Sequence, residues 1–390
     1  MELYTLDSLL RRTEVIDRFE SLIWTERYSK PGDFQLDILA DNSTRSLLQQ
    51  GTRLALSDSY RVMTVEEIED KDDSEGRSLL TVKGPSLESV LDDRTTRGAG
   101  PGLGDGGKWT LTNQTPVGII NTIFNSICVG NTNIPADNIP YYTSGSLYPA
   151  DTIAAPTTVF ATYDVPTDSL LNLFSAISDN YGIGFRLYRS LDTSKLYFNV
   201  YTGSDRTSKQ TNLPPVIFSS DLDTLDEVSV LTTAAGAKNT AYVYHPSASV
   251  VVYASGYENV TGLDRRVLKV DASDITGLTG TALTDALTQR GKDELSKYRT
   301  VRAIDGKAPE TTLFKYGVDY NLGDLVEMRN DDGVASFMTV TEHIYVSDGE
   351  GERSYPTLAE NLFIIQGSWN AYDIGKTWDN VDATLTWNTV

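Results

Sequence analysis

The stretch that decides the fold reads FKYGVDYNLGDLVEMRNDDGVASFMTVTEHIYV and covers residues 314–346. Apolar and polar residues alternate over 325–329, which is typical of a strand with one buried face. The sequence NDDG at 330–333 supplies turn chemistry, and the alternation resumes over 337–346. The pattern therefore predicts a β-hairpin, introduced by the run DYNLGD at 319–324.

Several short motifs near the N-terminus and in the hairpin region follow one another along the chain. The motifs are IWTERY at 23–28, GDFQLDI at 32–38, GPSLESVLDDR at 84–94 and, toward the C-terminus, DYxLGDxV at 319–326 followed by VTE at 340–342. Together they resemble the siphophage minor tail proteins of the baseplate-hub, or tail-associated (Tal-like), family. The resemblance covers roughly residues 1–95 and 215–365, with a weaker middle, and none of the motifs is a catalytic signature.

The resemblance implies a β-rich α+β fold in which two tube-type, β-barrel-like domains flank a smaller α+β middle domain. We expect an N-terminal hub β domain at 1–96, a middle insertion domain at 97–214, a second hub β domain at 215–366 and a C-terminal arm at 367–390. The composition agrees with a β-rich chain of several cores, because 390 residues are ample for more than one domain and Ser, Thr and Tyr are abundant.

The middle region is predicted from its own residues. RGAGPGLGDGG at 97–107 contains G-x-G-x-x-G, but no strand precedes it and no helix follows, so a linker is favoured over a nucleotide site. One helix is expected from Thr115 to a stop at Gly130, and another over 168–181. A hairpin is expected around 190–194, and 131–162 is expected to form loops.

The second hub domain is expected to contain strands and one long helix. The predicted strands lie at 216–219, 227–231 and 239–245. The helix is predicted over 281–298, with Gly291 weakening its middle. Near the N-terminus, a hairpin is expected over 63–82, and Ser86 is expected to cap a short helix.

Acidic residues dominate the charge of the chain. Asp and Glu number 54 against 33 Lys and Arg, which gives a formal net charge of −21. This excess argues against stable binding to nucleic acid, because there is no cationic surplus to neutralise phosphates. General solubility and a DNA-repelling channel wall are both consistent with it.

No catalytic or metal-binding constellation stands out, and no cofactor is predicted. Cys128 borders an apolar helical stripe and is expected to be a core residue, while His245 and His343 are expected to be structural or surface residues. The acidic turn at 70–76 departs from a calcium loop, because its glycine falls late and Thr81 stands where a bidentate Glu is needed. The N-terminus lacks a signal-peptide core, and no apolar run approaches the roughly 18–20 residues that span a bilayer. A single cysteine is consistent with assembly in a reducing cytoplasm.

The resemblance implies a structural baseplate hub at the tail tip of the virion, assembled in the host cytoplasm. Hubs of this family form homotrimers that connect the tail tube to the tip and form part of the DNA ejection channel. The implied partners are a distal tail protein, a tape measure protein and further tail-tip proteins. The alternatives are a cell-wall-degrading or glycan-processing tail enzyme, for which no carboxylate pair stands out, and a host-glycan receptor-binding tail protein.

The last 22 residues contain a nine-residue repeat, W-[ND]-x-[YV]-D-x-x-x-T, anchored by Trp369, Trp378 and Trp387. Three regularly spaced tryptophans in so short a piece cannot bury one another, whereas tryptophan is a preferred anchor in pockets of a partner. We therefore predict a docking arm with these three anchors. Packing against its own domain and disorder are the alternatives.

Overall fold

The computed structural model is a β-rich α+β fold. It describes residues 1–57, 59–72, 76–96, 109–191, 195–224, 226–273, 275–296, 298, 300–307, 313–329 and 335–360. Within them lie twenty-one strands and four α-helices, so the predicted β-rich α+β class is confirmed. The glycine-rich segment 97–107 and the turn at 330–333 fall outside the described residues. No described helix is long and apolar enough to cross a membrane.

The principal sheet has ten strands, which come from the N-terminal and C-terminal regions of the described chain. Its strands are β3 (Ser21–Arg27), β4 (Asp33–Leu39), β7 (Glu67–Asp72), β8 (Ser78–Pro85), β13 (Ile217–Phe218), β14 (Asp226–Thr233), β18 (Val301–Lys307), β19 (Leu325–Arg329), β20 (Ala335–Asp348) and β21 (Gly351–Glu360). The main path runs β14-β18-β21-β20-β3-β4-β8-β7, and β19 joins β20 to β13. The predicted hairpins over 63–82 and 325–346 are confirmed as β7–β8 and β19–β20.

The N-terminal and C-terminal regions meet at an antiparallel pair. Strand β3 pairs with β20 in a register that places Trp24 opposite Tyr345 and Arg27 opposite Glu342. Arg27 adds ion pairs at 2.6 Å to both Glu342 and Asp33, so the side chains reinforce the junction. The first and last predicted domains therefore share one continuous sheet. The division at 96, 214 and 366 stays a prediction about the sequence.

A second, four-stranded sheet packs on the N-terminal half of the principal sheet. Its strands are β1 (Leu3–Leu6), β2 (Arg12–Ile16), β5 (Arg53–Leu56) and β6 (Met63–Thr64), in the order β2-β1-β5-β6. Leu3 and Leu54 from this sheet join Leu22, Trp24 and Leu36 from the principal sheet in one buried core. A short helix, α1 (Asn42–Leu47), begins at a capping box formed by Asp41 and Thr44.

The expectation of β-barrel-like domains needs a correction, because no described sheet closes on itself. A barrel requires its first and last strands to pair. Here β14 and β7 end the path of the principal sheet without meeting. All six residues of β7 are exposed and five of them, from Glu67 to Asp72, are charged. Such a strand suits a solvent-facing edge, since charges disfavour further strand pairing.

The middle region packs around a core that also includes N-terminal residues such as Leu6, Leu10 and Leu91. Its elements are β9 (Thr110–Gln114), α2 (Pro116–Phe124), a π-helical turn (Asn125–Val129), a 3₁₀ turn (Pro135–Asp137), β10 (Phe160–Asp164), α3 (Leu170–Tyr181), β11 (Gly184–Arg189) and β12 (Leu196–Tyr201). Both predicted helices and the hairpin are confirmed. Helix α3 begins at Ser169, whose side chain accepts the Asn172 N–H, and ends at Gly182 in the left-handed conformation. Phe124 and Phe198 stack at 3.7 Å in this core.

A small α/β unit lies between β14 and β18 in sequence. Its elements are β15 (Thr240–His245), β16 (Ala248–Tyr253), a 3₁₀ turn (Gly262–Asp264), β17 (Val267–Asp271) and α4 (Gly280–Ser296). Strand β15 and helix α4 were predicted, and both are confirmed. A Cβ on Gly291 would lie 2.6 Å from Val252 and 2.8 Å from Val243. The glycine therefore lets helix α4 approach the sheet closely, although it lowers helix propensity.

Candidate functional site

The predicted anchors Trp369, Trp378 and Trp387 lie outside the described residues. Their docking role stays a prediction. Of the other residues singled out by sequence, Cys128 is buried in the middle core, and burial raises the pKa of its thiol to about 12. A thiol that stays protonated is a poor nucleophile, so the structure supports the predicted core role.

Both histidines make structural contacts. His245 lies with Nε2 2.9 Å from the Ile275 carbonyl oxygen, while its Nδ1 accepts the Ser247 N–H. His343 is fully buried on β20 and stacks on the Tyr316 ring at 3.9 Å. Burial lowers the pKa of His343 to about 3, so the ring is neutral. Among the residues that the structure describes, no group of His, Cys, Asp and Glu side chains is placed to hold a metal ion.

The DYxLGD run forms a joint between three segments of the chain, which we call the three-segment joint: Tyr28, Gly203, Tyr320, Gly323 and Asp324. Tyr320 is 1% exposed and contacts Phe218 edge-on, with ring centroids 5.4 Å apart. The Gly323 N–H donates to the Val340 carbonyl, and the Leu325 N–H donates to the Ser204 carbonyl. The run thereby links the C-terminal hairpin to the end of the middle region.

Close approach explains the glycines of this joint. Gly323 has a φ of +88°, and a Cβ there would lie 2.5 Å from Cε2 of Tyr28. Gly203 has a φ of +80°, and its Cβ would lie 2.3 Å from the Gly323 carbonyl carbon. The Tyr28 hydroxyl lies 3.0 Å from the Gly182 carbonyl oxygen and 3.1 Å from that of Tyr201. The ring is therefore held at its far end and cannot make room for a larger residue.

Asp324 supplies the polar part of the joint. One carboxylate oxygen accepts the Ser204 N–H at 2.7 Å, and the other accepts the Asn321 N–H at 2.9 Å. Arg206 lies 3.8 Å away. Burial raises the pKa of Asp324 to about 6, although these partners favour its charged form. The sequence motif predicted a lead into a hairpin, and the structure adds this capping role.

A buried polar cluster lies beside the joint and consists of Glu26, Ser59, Arg61, Glu88 and Arg186. Glu26 accepts hydrogen bonds from the hydroxyls of Ser59 and Tyr316, the second at 3.0 Å. Arg61 and Glu88 form an ion pair, with side chains only 3% and 1% exposed. Glu88 also accepts the Leu187 N–H at 2.9 Å, which ties the N-terminal region to strand β11.

Arg186 completes the cluster through aromatic contacts. Its guanidinium carbon lies 3.4 Å from the ring centroid of Tyr148 and 3.8 Å from that of Tyr201. A cation between two rings is stabilised by both ring faces. The cluster therefore holds the N-terminal, middle and C-terminal regions in a fixed arrangement. Sequence analysis missed these charges, because a buried charge and a solvated one look alike in a strand pattern.

The sequence of the chain matches a known protein family. The family model described as Siphovirus ReqiPepy6 Gp37-like protein matches residues 1–358. The chain belongs to this family. A comparison with curated protein sequences found no match. Membership of the Gp37-like family confirms the prediction that the chain is a siphophage tail protein.

Solved tail proteins share the fold of this Gp37-like chain. A tail protein from Neisseria meningitidis MC58 is similar with a TM-score of 0.56 at 11% identity, covering 92% of this chain and 96% of that one. The 43 kDa tail protein of prophage MuSo2 from Shewanella oneidensis gives a TM-score of 0.54 at 12% identity, covering 92% and 98%. At these identities the likeness is one of fold, and it extends over nearly the whole Gp37-like chain.

Proposed function

We propose that this chain is the structural baseplate hub of a siphophage, a minor tail protein that connects the tail tube to the tail tip. The main support for this proposal is the family match over residues 1–358, together with a fold that is shared with tail proteins over 92% of the chain. A hub transmits position between neighbours, which requires regions that do not shift. The buried ion pair Arg61–Glu88 and the β3–β20 pairing supply that rigidity.

In this proposal three copies form a ring whose partners are a distal tail protein, a tape measure protein and further tail-tip proteins. The ring forms part of the channel through which DNA leaves the particle. A net charge of −21 suits a wall that DNA must pass without adhering. Such repulsion acts over about 8–10 Å at physiological salt, so carboxylates at the wall would be sufficient.

The proposal assigns no catalysis to the chain. Within the described residues, Cys128 is buried and protonated, and His343 is buried and neutral. Glu26, Glu88 and Asp324 each serve as hydrogen-bond acceptors in the interior. These groups hold the fold together and are not open to a polymeric substrate.

Native mass spectrometry of the purified protein and of isolated tail tips tests the hub. We expect three copies per ring, and a reconstruction of the tip should place the ring between the tube and the distal fibre or tip proteins. Six copies, one copy, or a location elsewhere in the particle would contradict the proposal. If the purified protein released peptidoglycan fragments, and substitution of one carboxylate residue abolished that release, the alternative of a cell-wall-degrading tail enzyme would be favoured.

Host-glycan binding is a second candidate, favoured by an exposed aromatic face. Tyr242 and Tyr244 point away from the core of the small α/β unit, and Tyr244 is 46% exposed. Val251 lies opposite Tyr242 and is 49% exposed. Aromatic faces bind sugar rings as well as proteins. Loss of phage adsorption in Tyr244→Ala, with adsorption intact in the equally exposed control Tyr257→Ala, would support this role.

A further inference from the structure

A cavity of about 180 Å³ lies where the N-terminal region meets the middle region. Its walls include the apolar side chains of Leu10, Leu87, Val90, Ile139 and Leu187. A cavity of about 150 Å³ with similar walls is large enough for a benzene ring. This cavity therefore has room for one aromatic side chain inserted from outside.

The polar lining of the cavity is cationic. Arg53 and Arg94 both line it, and none of its described lining residues is acidic, in a chain whose net charge is −21. The buried Nε of Arg53 has no hydrogen-bond partner among the described residues. Arg94 is held in place, since its Nε donates to the Asp137 carbonyl at 3.0 Å. The cavity thus combines an apolar slot with an unsatisfied cationic donor, which suits an aromatic group beside a carboxylate.

Two walls of the cavity hold an unfavourable backbone conformation. Leu10 and Tyr141 have φ values of 60° and 62°, and only four described non-glycine residues have a positive φ. Such conformations cost free energy and persist where the surroundings fix them, often at ligand-binding positions. The shape of this cavity is therefore imposed by the fold.

We propose that this cavity receives a tryptophan of the C-terminal repeat of this chain, residues 369–390. Trp369 and Trp378 are each followed four residues later by an aspartate, Asp373 and Asp382. The indole fills the apolar slot, and the aspartate pairs with the guanidinium groups at the rim. The seventeen residues between Glu360 and Trp378 span up to about 60 Å when extended, so the anchor has a long reach from the end of strand β21.

Cysteine cross-linking in the full-length chain tests the proposal. Ser8→Cys places a thiol at the cavity rim, and Asn370→Cys, Thr377→Cys or Asn388→Cys places a second one beside an anchor. The native Cys128 is buried with a raised thiol pKa, so it does not interfere. We expect Ser8→Cys to cross-link with at least one of the three arm positions. Ser249→Cys, on an exposed strand of the small α/β unit, is the matched control and should not cross-link.

Filling the cavity provides the specificity control. Val90→Trp occupies the slot and should lower the cross-link yield roughly tenfold or more, as expected for loss of a buried aromatic anchor. Val159→Trp, at a residue that is 58% exposed, should leave the yield unchanged. Arg53→Gln keeps the cavity open and should lower the yield at low salt, which covers the case of a misfolded Val90→Trp chain.

Absence of a cross-link at all three arm positions, or equal yields in Val90→Trp and Val159→Trp, would overturn the proposal. Mixing chains that carry only Ser8→Cys with chains that carry only the arm cysteine distinguishes the source. A cross-linked dimer of the two singly substituted chains shows that the arm docks on a neighbouring copy. A cross-link that forms only within doubly substituted chains shows that the arm docks on its own chain. Either result supports the cavity as the receptor. The ring's copy number is measured separately, so this proposal and the hub can fail independently.

Discussion

Substitution of Gly323 by alanine is expected to destabilise the protein by loosening the three-segment joint. The change adds one methyl group at a residue whose φ is +88° and whose Cβ would lie 2.5 Å from Cε2 of Tyr28. Tyr28 is 7% exposed and its hydroxyl is held by two carbonyl oxygens. The ring cannot move aside without breaking those contacts.

The magnitude has two parts that the structure separates. Left-handed backbone costs an alanine roughly 1–2 kcal/mol relative to glycine. Overpacking against a fixed ring typically costs about 1–3 kcal/mol more. We therefore expect Gly323→Ala to lower the free energy of unfolding by about 2–5 kcal/mol. Gly317→Ala is the matched control, because Gly317 has a φ of +80° with no atom within 4 Å of its Cβ position.

Urea denaturation followed by tryptophan fluorescence and far-ultraviolet circular dichroism measures both variants. Gly323→Ala should lose about 1–3 kcal/mol more than Gly317→Ala, because only the first variant meets Tyr28. The double variant Gly323→Ala with Tyr28→Leu should show a smaller loss than the two single changes together. Equal stability of the two alanine variants would refute the claim that close packing on Tyr28 requires the glycine.

Four further predictions concern the buried groups. Arg61→Met leaves the Glu88 charge buried without its partner and should cost about 3–5 kcal/mol of unfolding free energy, much of it recovered by adding Glu88→Gln; full stability of the single variant in denaturation would contradict the pairing. His343 has a folded pKa of about 3, below its ordinary value, so its contribution to stability is present above about pH 6.5 and is lost as the pH falls. His343→Phe should therefore gain stability relative to the parent between pH 7 and 5. Asp324 has a folded pKa of about 6, above its ordinary value, so its contribution rises as the pH falls from about 7 to 4, and Asp324→Asn should lack that rise in urea titrations at each pH. Cys128 should react with a maleimide only after unfolding, and rapid labelling of the native protein would show that the thiol is accessible.

Local signals predicted the local elements well. Helix α3 was predictable because an apolar stripe lies between the capping Ser169 and the terminating Gly182. The β19–β20 hairpin was predictable because strand-like patterns lie on both sides of turn residues in the sequence, although β19 is buried at four of its five residues and not on one face only. In each case the information lies within about twenty residues of sequence.

Nonlocal pairing and buried charge could not be predicted in the same way. The contact between Arg27 and Glu342 joins residues 315 positions apart, and the sequence of either strand alone does not indicate which strand it pairs with. A sheet closes into a barrel only when its two edge strands pair, and the sequence of each strand does not specify that pairing. The barrel expectation therefore rested on the family resemblance, whereas the structure shows an open sheet. Glu88 is 1% exposed, yet the sequence around it looks like the start of a solvated helix.

The β3–β20 pairing also sets the order in which a nascent chain can finish folding. Strand β3 pairs early with β4, only a few residues away, but its other edge waits for a partner about 315 residues later in the chain. At about 5–20 residues per second, the ribosome takes on the order of tens of seconds to deliver that partner. Throughout that interval a bare strand edge is open to strands from other nascent chains. Slower translation should therefore increase aggregation of this protein during synthesis, and co-expressed chaperones that cover exposed strands should reduce it.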